Sequence, residues 1–460
     1  MKYLRQLPFI LIFTFLSGCI AVNADLPEIK SVTTDKGHDV YYIPLETETV
    51  TIHAAFKNDY IFTEGANPVV PHIGLQLIQQ AGAGDIEPAT LLSEFEDLGA
   101  DAQLHARPDA IHGKLVADVA DIEAAAKLAN QVLTDSTLDE RWFRRVAGNL
   151  VEKAGLDRNH SGVLGWSAMR KLSFDPMVAR FWSASFADTQ AVELDQVKDW
   201  YQQSFNAGDA IIVLSGPKDM ASGLRAVDIL LDQLDQKQPR AVTVEQEPFV
   251  PVAKTILIEN SAANDALVLL FDHVKGEARR REFETYFTAY ELGATSESRL
   301  HRKLRDELRA AYEVFTQFAD FDRQVRLLAM GGQVSPDQAV AALRLASETY
   351  DNYREQGMDQ SGFDQVKKVY VDHFEDILNE DSLPPNLVLE ALLEGHEVEF
   401  VNSLLPTVRG MNLMTHNEFS AAHLSPSDQL LRIIVAPDID AIELDVDCRV
   451  KQPEQLAECV

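Results

Sequence analysis

Pro71-His72-Ile73-Gly74-Leu75-Gln76-Leu77-Ile78-Gln79-Gln80-Ala81-Gly82 is the stretch on which the reading of this chain turns. Pro71 suits the first turn of a helix, and a helix through this segment sets His72 and Gln76 four apart on one face with Leu75 beside them. Two histidines at those positions, with a glutamate in place of Leu75, would hold a metal and supply a base. Here only the first histidine is present.

Outward from this helix, the preceding residues read as strands. Asp39 to Leu45 and Thr49 to Phe56 are rich in β-branched and aromatic residues and are bounded by breakers, and a polar loop then leads to Pro71. Pro88 to Gly99 reads as a short helix closed by glycine, Ala100 to Pro108 and Ala110 to Ala117 as two strands, and Asp121 to Leu133 and Asp139 to Lys153 as helices. Leu194 to Phe205 is a further helix, followed by the apolar strand Ala210 to Gly216. Strands and helices mix without strict βαβ alternation, so the fold class is α+β.

The second half replays this order. Lys254 to Glu259 and Ala266 to Asp272 read as strands, Ala278 to Leu292 and Ser298 to Arg309 as helices, and Tyr312 to Phe318 and Leu327 to Val334 as strands. Long helices over Pro336 to Gly357 and Ser361 to Asn379 precede a closing strand, Leu430 to Pro437. A repeat of ~200 residues follows from the order of elements. The expected division is a leader over 1–19, a first domain over 20–235, a polar, proline-bearing linker over 236–251 and a second domain over 252–460.

The chain has 460 residues, and 72 acidic against 41 basic residues give a formal charge of −31. Such a surface repels phosphate backbones and argues against nucleic-acid binding. Lys2 and Arg5 precede an apolar run over 7–16 that is too short to span a bilayer, and Leu16-Ser17-Gly18-Cys19 follows it. That run reads as an export signal, and its end resembles a bacterial lipobox in which Cys19 becomes the lipidated mature N-terminus. The alternative is an ordinary signal peptide with an incidental cysteine. Ile20 in place of aspartate leans the lipoprotein reading towards the outer membrane of a Gram-negative bacterium, facing the periplasm. No later stretch reads as a transmembrane helix. Cys448 and Cys459 remain, as a disulfide closing a short loop or as two free thiols.

Together the motif-bearing helix, the loop before it, the segment Asp195 to Gly216 and the Ser298-Arg299-Leu300 helix resemble the insulinase/pitrilysin family of inverted zinc peptidases. The likeness is strongest to its short bacterial, mitochondrial-processing-type branch. It implies two similar α/β sandwich domains forming half of a clam-shell chamber, often completed by a second chain. Matched to that family, His72 is the first zinc ligand, Leu75 replaces the general base and Gln76 replaces the second ligand. The third-ligand glutamate falls at Glu152, with Lys153 equally placed. Zinc hydrolysis needs three protein ligands and a base, so no catalytic residue is expected in cis, no metal site and no stoichiometric zinc.

The resemblance also places Ala102, Gln103 and Leu104 on the edge strand where family members lay the substrate backbone, although the usual asparagine-alanine pair is Gln103-Leu104 here. An ordinary sheet edge is the competing reading. Arg305 and Tyr312, seven apart, match the pair that holds the substrate carbonyl, with Arg309-Ala310-Ala311 where a glycine-containing turn is usual; the competing reading is two unrelated surface residues. Arg299 reads as structural, and His105, His112 and His160 do not restore a metal site. The expected function is therefore a non-catalytic, lipid-anchored periplasmic subunit. It would pair with an active zinc-bearing subunit of the family and bind peptide substrates, giving Arg305 and Tyr312 in trans. The alternative is a stand-alone peptide-binding or scaffold protein.

Overall fold

A computed structural model describes residues 28–234, 251–274, 283–309, 311–320, 326–378 and 383–459. The leader with Cys19 and most of the linker lie outside these residues. Two six-stranded sheets carry the fold. The first contains β1 (Lys30–Thr33), β2 (Asp39–Leu45), β3 (Thr49–Lys57), β4 (Asp101–Ala106), β5 (Ala110–Asp118) and β6 (Ala210–Pro217), in the order β1-β2-β6-β3-β5-β4. The second contains β7 (Thr255–Glu259), β8 (Ala266–His273), β9 (Ala311–Asp320), β10 (Arg326–Val334), β11 (Leu431–Ala436) and β12 (Cys448–Val450), in the order β12-β7-β11-β8-β10-β9.

The repeat inferred from element order is thus explicit in topology. β2 runs parallel to β6 as β7 does to β11, and each of the other inner pairings is antiparallel in both sheets. The two sheets differ at the outer strand. β1 arrives from before β2 and is antiparallel to it, whereas β12 comes from the chain's end and is parallel to β7. β12 is tied by a disulfide from Cys448 to Cys459.

The first half carries α1 (Val70–Gln80), α2 (Pro88–Asp97), α3 (Ile122–Thr134), α4 (Glu140–Asp157), α5 (Ser161–Ser173), α6 (Pro176–Trp182), α7 (Phe186–Gln190), α8 (Leu194–Ser204) and α9 (Ala221–Leu230). The second carries α10 (Phe283–Ala289), α11 (Arg299–His301), α12 (Ala339–Gln356), α13 (Gln360–Ile377), α14 (Pro385–Leu393), α15 (Glu399–Gly410) and α16 (Leu413–His423). Two expected helices change character. The one ending at Leu292 continues from α10 as a π-helix, Tyr290–Ala294, and the one beginning at Ser298 continues from α11 as a π-helix, Arg302–Glu307.

The halves exchange helices. Leu164, Ala168 and Leu172 of α5 pack on Leu269, Ile433 and Val435 of the second sheet. The approach is close enough that a Cβ on Gly165 would lie 2.4 Å from Leu269 Cδ1. In return Val388 and Leu389 of α14 join a cluster with Ile43, Ala55 and Val213 of the first sheet. α5 and α14 hold equivalent places in the two repeats, so the exchange is reciprocal.

This exchange explains the strand patterns. β8 and β11 are buried almost throughout, because α5 and α6 cover one face of their sheet while the second half's own helices cover the other. β3 instead alternates over its first residues: Val50, Ile52, Ala54 and Phe56 face the first-half core, and His53 is only half-buried on the other face. Glu390 of α14 reaches that other face, with Oε1 3.5 Å from His112 Nδ1 and 4.0 Å from Arg107.

Candidate functional site

α1 forms where Pro71 sits in the first turn and Ile73, Leu75, Leu77 and Ile78 are buried beneath it. Asn67 fixes its start: the buried side chain accepts from Val69 N at 3.0 Å and donates to Asp188 O at 2.8 Å. Midway, Gly74 presses on the fully buried Trp200 of α8, where a Cβ would come 2.2 Å from the indole. No larger residue fits there without moving the helix.

At the N-terminal end of α1, His72 is absorbed into packing. Its Nε2 lies 2.9 Å from Phe181 O, and its ring sits 4.3 Å from the Phe181 ring, tilted by 38°. A carbonyl oxygen only accepts, so Nε2 carries the proton and the ring's lone pair is on Nδ1. Burial lowers the His72 pKa, against a smaller opposing effect of the Phe181 hydrogen bond, so the ring is held neutral. Leu75 is 3% exposed and belongs to the first-half core, and Gln76 is half-buried.

The α4 positions complete this corner. Glu152 is exposed and does not line the cleft of about 420 Å³ beside His72; Lys153 does, with its ammonium 2.5 Å from Asp157. Across the same cleft, Arg170 donates to Trp182 O at 3.2 Å and to Ser183 Oγ at 2.8 Å, and burial brings its pKa down to about 10. One imidazole, a leucine, a carboxamide and a lysine do not make a zinc site. Among the described residues, no group of three or more His, Cys, Asp or Glu side chains is placed to hold a metal ion.

At the other end of α1 lies the free edge of the first sheet. β4 pairs only with β5, so one side of it has no strand neighbour. Leu104 directs its N–H and C=O to that side, and Gln79 from the last turn of α1 meets both: Leu104 N to Oε1 at 3.1 Å and Nε2 to Leu104 O at 3.3 Å. By the alternation of an antiparallel ladder, Ala102 and Ala106 share this outward sense, while Gln103 and His105 bond to β5. His105 and His112 are direct cross-strand partners. Behind the edge, Ile78, Leu91, Phe95, Leu104 and Leu133 line an apolar cleft of about 240 Å³. Leu92 at this cleft is 61% exposed.

In the second half, Arg305 is exposed on the π-helical segment Arg302–Glu307, and Tyr312 enters edge strand β9. β10 faces Ala311 with Val334 and Glu313 with Gln333, so Tyr312 is the extra residue of a bulge. Arg309 takes φ +55°, a left-handed conformation that costs a non-glycine residue about 1 kcal/mol, at the turn where a glycine is usual. Arg299 is structural: it donates to Glu291 at 2.9 Å and Gly357 O at 2.7 Å, and its guanidinium lies 5.1 Å from the Tyr353 ring centre.

Sequence reasoning singled out His72 and the β4 stretch but missed Phe181 and Gln79, the residues that define how each is used. Phe181 acts through a main-chain carbonyl, which carries no residue signature. Gln79 is one polar residue at a helix end until the fold sets it against Leu104.

Comparison with known proteins gives the following. Residues 191–370 match the family model described as Peptidase M16 inactive domain. The peptidase M16 inactive domain from Pseudomonas fluorescens is similar in structure, at 16% identity and TM-score 0.78, with 89% of this chain and 98% of that chain covered. A protease from Helicobacter pylori aligns at 14% identity and TM-score 0.77, over 90% of this chain and 100% of that one. The periplasmic protease PqqL from Escherichia coli aligns at 13% identity and TM-score 0.73, over 94% of this chain and 49% of that one. No curated protein matches in sequence.

Proposed function

We propose, from the premise that this chain belongs to the insulinase/pitrilysin (M16) family and is one of its inactive members, that it is a peptide-binding subunit which leaves hydrolysis to a zinc-bearing partner. One observation carries the reading: at one end of α1 His72 stands against Phe181 with no base or second histidine beside it, while at the other end the β4 edge has no strand neighbour among the described residues and only the Gln79 side chain covers it. The base and the second metal ligand are both missing from the corner where the family places them, replaced by Leu75 and Gln76, so this chain has no means of activating water. An edge strand beside an apolar cleft, by contrast, binds extended peptides through main-chain bonds and one side-chain pocket.

In this reading the partner is a family member with an intact H-x-x-E-H, the two chains together enclose the chamber, and Arg305 and Tyr312 face the partner's zinc. Their guanidinium and phenol would donate to the carbonyl oxygen as charge develops on it. Anchorage through a lipid on Cys19, at the periplasmic face of the outer membrane, belongs to the same proposal and rests on the leader sequence alone.

Co-expression with the candidate zinc subunit tests it. The expected result is a stable complex that cleaves peptides, with activity falling roughly a hundredfold in Arg305→Ala, as for loss of an oxyanion donor. Isolated zinc subunit with full activity and no affinity for this chain would overturn the pairing.

A further inference from the structure

We propose that Gln79 is a built-in plug of the β4 edge, which stands in for the backbone of an extended peptide and yields its place when one binds. The inference rests on the reading of β4 as a peptide-receiving strand and adds how that strand is kept closed.

In an antiparallel pair, a residue facing its neighbour exchanges both main-chain bonds with a single residue of that neighbour. The carboxamide of Gln79 has the same donor and acceptor as a peptide group, and it makes both bonds to one residue, Leu104, at 3.1 and 3.3 Å. The second N–H of Nε2 goes to Leu75 O at 3.1 Å within α1. Its orientation is therefore fixed by chemistry: a flipped amide would set N–H against the Leu104 N–H and oxygen against the Leu104 oxygen.

A bare strand edge invites uncontrolled pairing with other chains, and covering it is a common remedy. The cover here is one exposed side chain on a rigid helix, not a packed element. Three neutral hydrogen bonds are lost when it swings out, two to Leu104 and one to Leu75 O, and two to Leu104 form again from the peptide, so the exchange tunes affinity without forbidding binding.

The occupant is an extended peptide with an apolar side chain. The edge offers alternating main-chain donors and acceptors at Ala102, Leu104 and Ala106, and the cleft beside it is lined by Leu91, Phe95 and Leu133 with Leu92 open to solvent. Gln79 covers only the middle of these three positions. A peptide can thus pair at one flank before the plug leaves.

The test uses the full chain and a short fluorescein-labelled peptide of alternating threonine and valine with a central leucine, followed by fluorescence anisotropy. Gln79→Ala should bind about five- to tenfold tighter than the wild type, the equivalent of one to two net hydrogen bonds removed from the competition. Amide exchange at Leu104 in the free protein should quicken in the same variant. Ala102→Pro, which removes an outward N–H and leaves the β5 ladder intact, should abolish binding in both backgrounds. Equal affinities for wild type and Gln79→Ala, both abolished by Ala102→Pro, would overturn the plug and leave the peptide edge standing. Absence of binding in every form, or binding indifferent to Ala102→Pro, would overturn the edge reading and the plug with it.

Discussion

The two ends of helix α1 have met different fates. At its start, the half-buried His72 has its ring and its Nε2 proton committed to Phe181. At its end, Gln79 holds the edge strand by exposed, exchangeable bonds. Catalytic chemistry needs several groups at once, so the loss of a base and a ligand frees the remaining histidine to be recruited for packing. Peptide recognition through a strand edge needs only main-chain groups, which no substitution except proline removes. The difference teaches that hydrolysis and recognition are separable even along about three turns of helix.

The largest effect is expected where restoration of the motif is attempted. Leu75→Glu with Gln76→His rewrites the family's sequence, yet Leu75 is 3% exposed in the first-half core. An uncompensated carboxylate there should cost on the order of 3–5 kcal/mol, read as a large fall in Tm by calorimetry. Dialysis against zinc should leave the variant without stoichiometric metal, because Glu152 is exposed away from the cleft and Lys153 lines it, so a third ligand is still lacking. A well-folded double variant holding one zinc per chain would erase the contrast between the two ends of α1.

Acid should act next most strongly, through the packed histidines. Burial lowers the pKa of His416 from 6.5 to about 4, and burial likewise lowers that of His72. Below pH 6.5 the unfolded chain takes up protons that the folded chain refuses, so stability is intact above that value and is lost as pH falls towards about 4. His416 alone, fully enclosed, accounts for on the order of 3 kcal/mol across this window. Urea melts from pH 7 to pH 4 should show the decline, and His72→Gln, which keeps a donor for Phe181 O but does not titrate, should make it shallower. An unchanged slope in that variant would mean that His72 is not sealed.

How much of this was legible in the sequence follows from where the forces lie. The strands flanking α1 and the strand that closes each half were readable, because their apolar runs end on breakers. Strand β1 carries no such signal, since its four residues lie at the sheet's rim and have little apolar pattern to show. Helices α5 to α7, α9 and α14 to α16 have no counterpart in the sequence reading, and the exchange of α5 for α14 is a tertiary choice that no local period encodes. At the site, Leu75 and Gln76 depart by residue type from H-x-x-E-H, and His72 alone matches it. The partners that redefine them, a carbonyl at Phe181 and the amide of Gln79 against Leu104, exist only once distant segments meet.

The smallest effect separates two explanations of the closed metal corner. One is that the corner lacks a carboxylate, since Glu152 is exposed away from the cleft and Lys153 lines it; the other is that Gln76 leaves a single imidazole there. Lys153→Glu supplies the carboxylate on the cleft side of α4 and leaves His72 untouched. It removes an exposed pair with Asp157 and sets two acidic residues four apart, a change of about 0.5–1 kcal/mol at most. If the missing carboxylate were the cause, zinc affinity should rise measurably in isothermal titration. If the missing second imidazole is the cause, affinity should not change, because His72 and one added carboxylate are two ligands where zinc takes three from the protein. The second outcome is expected, and it places the deficit on α1 and not on α4.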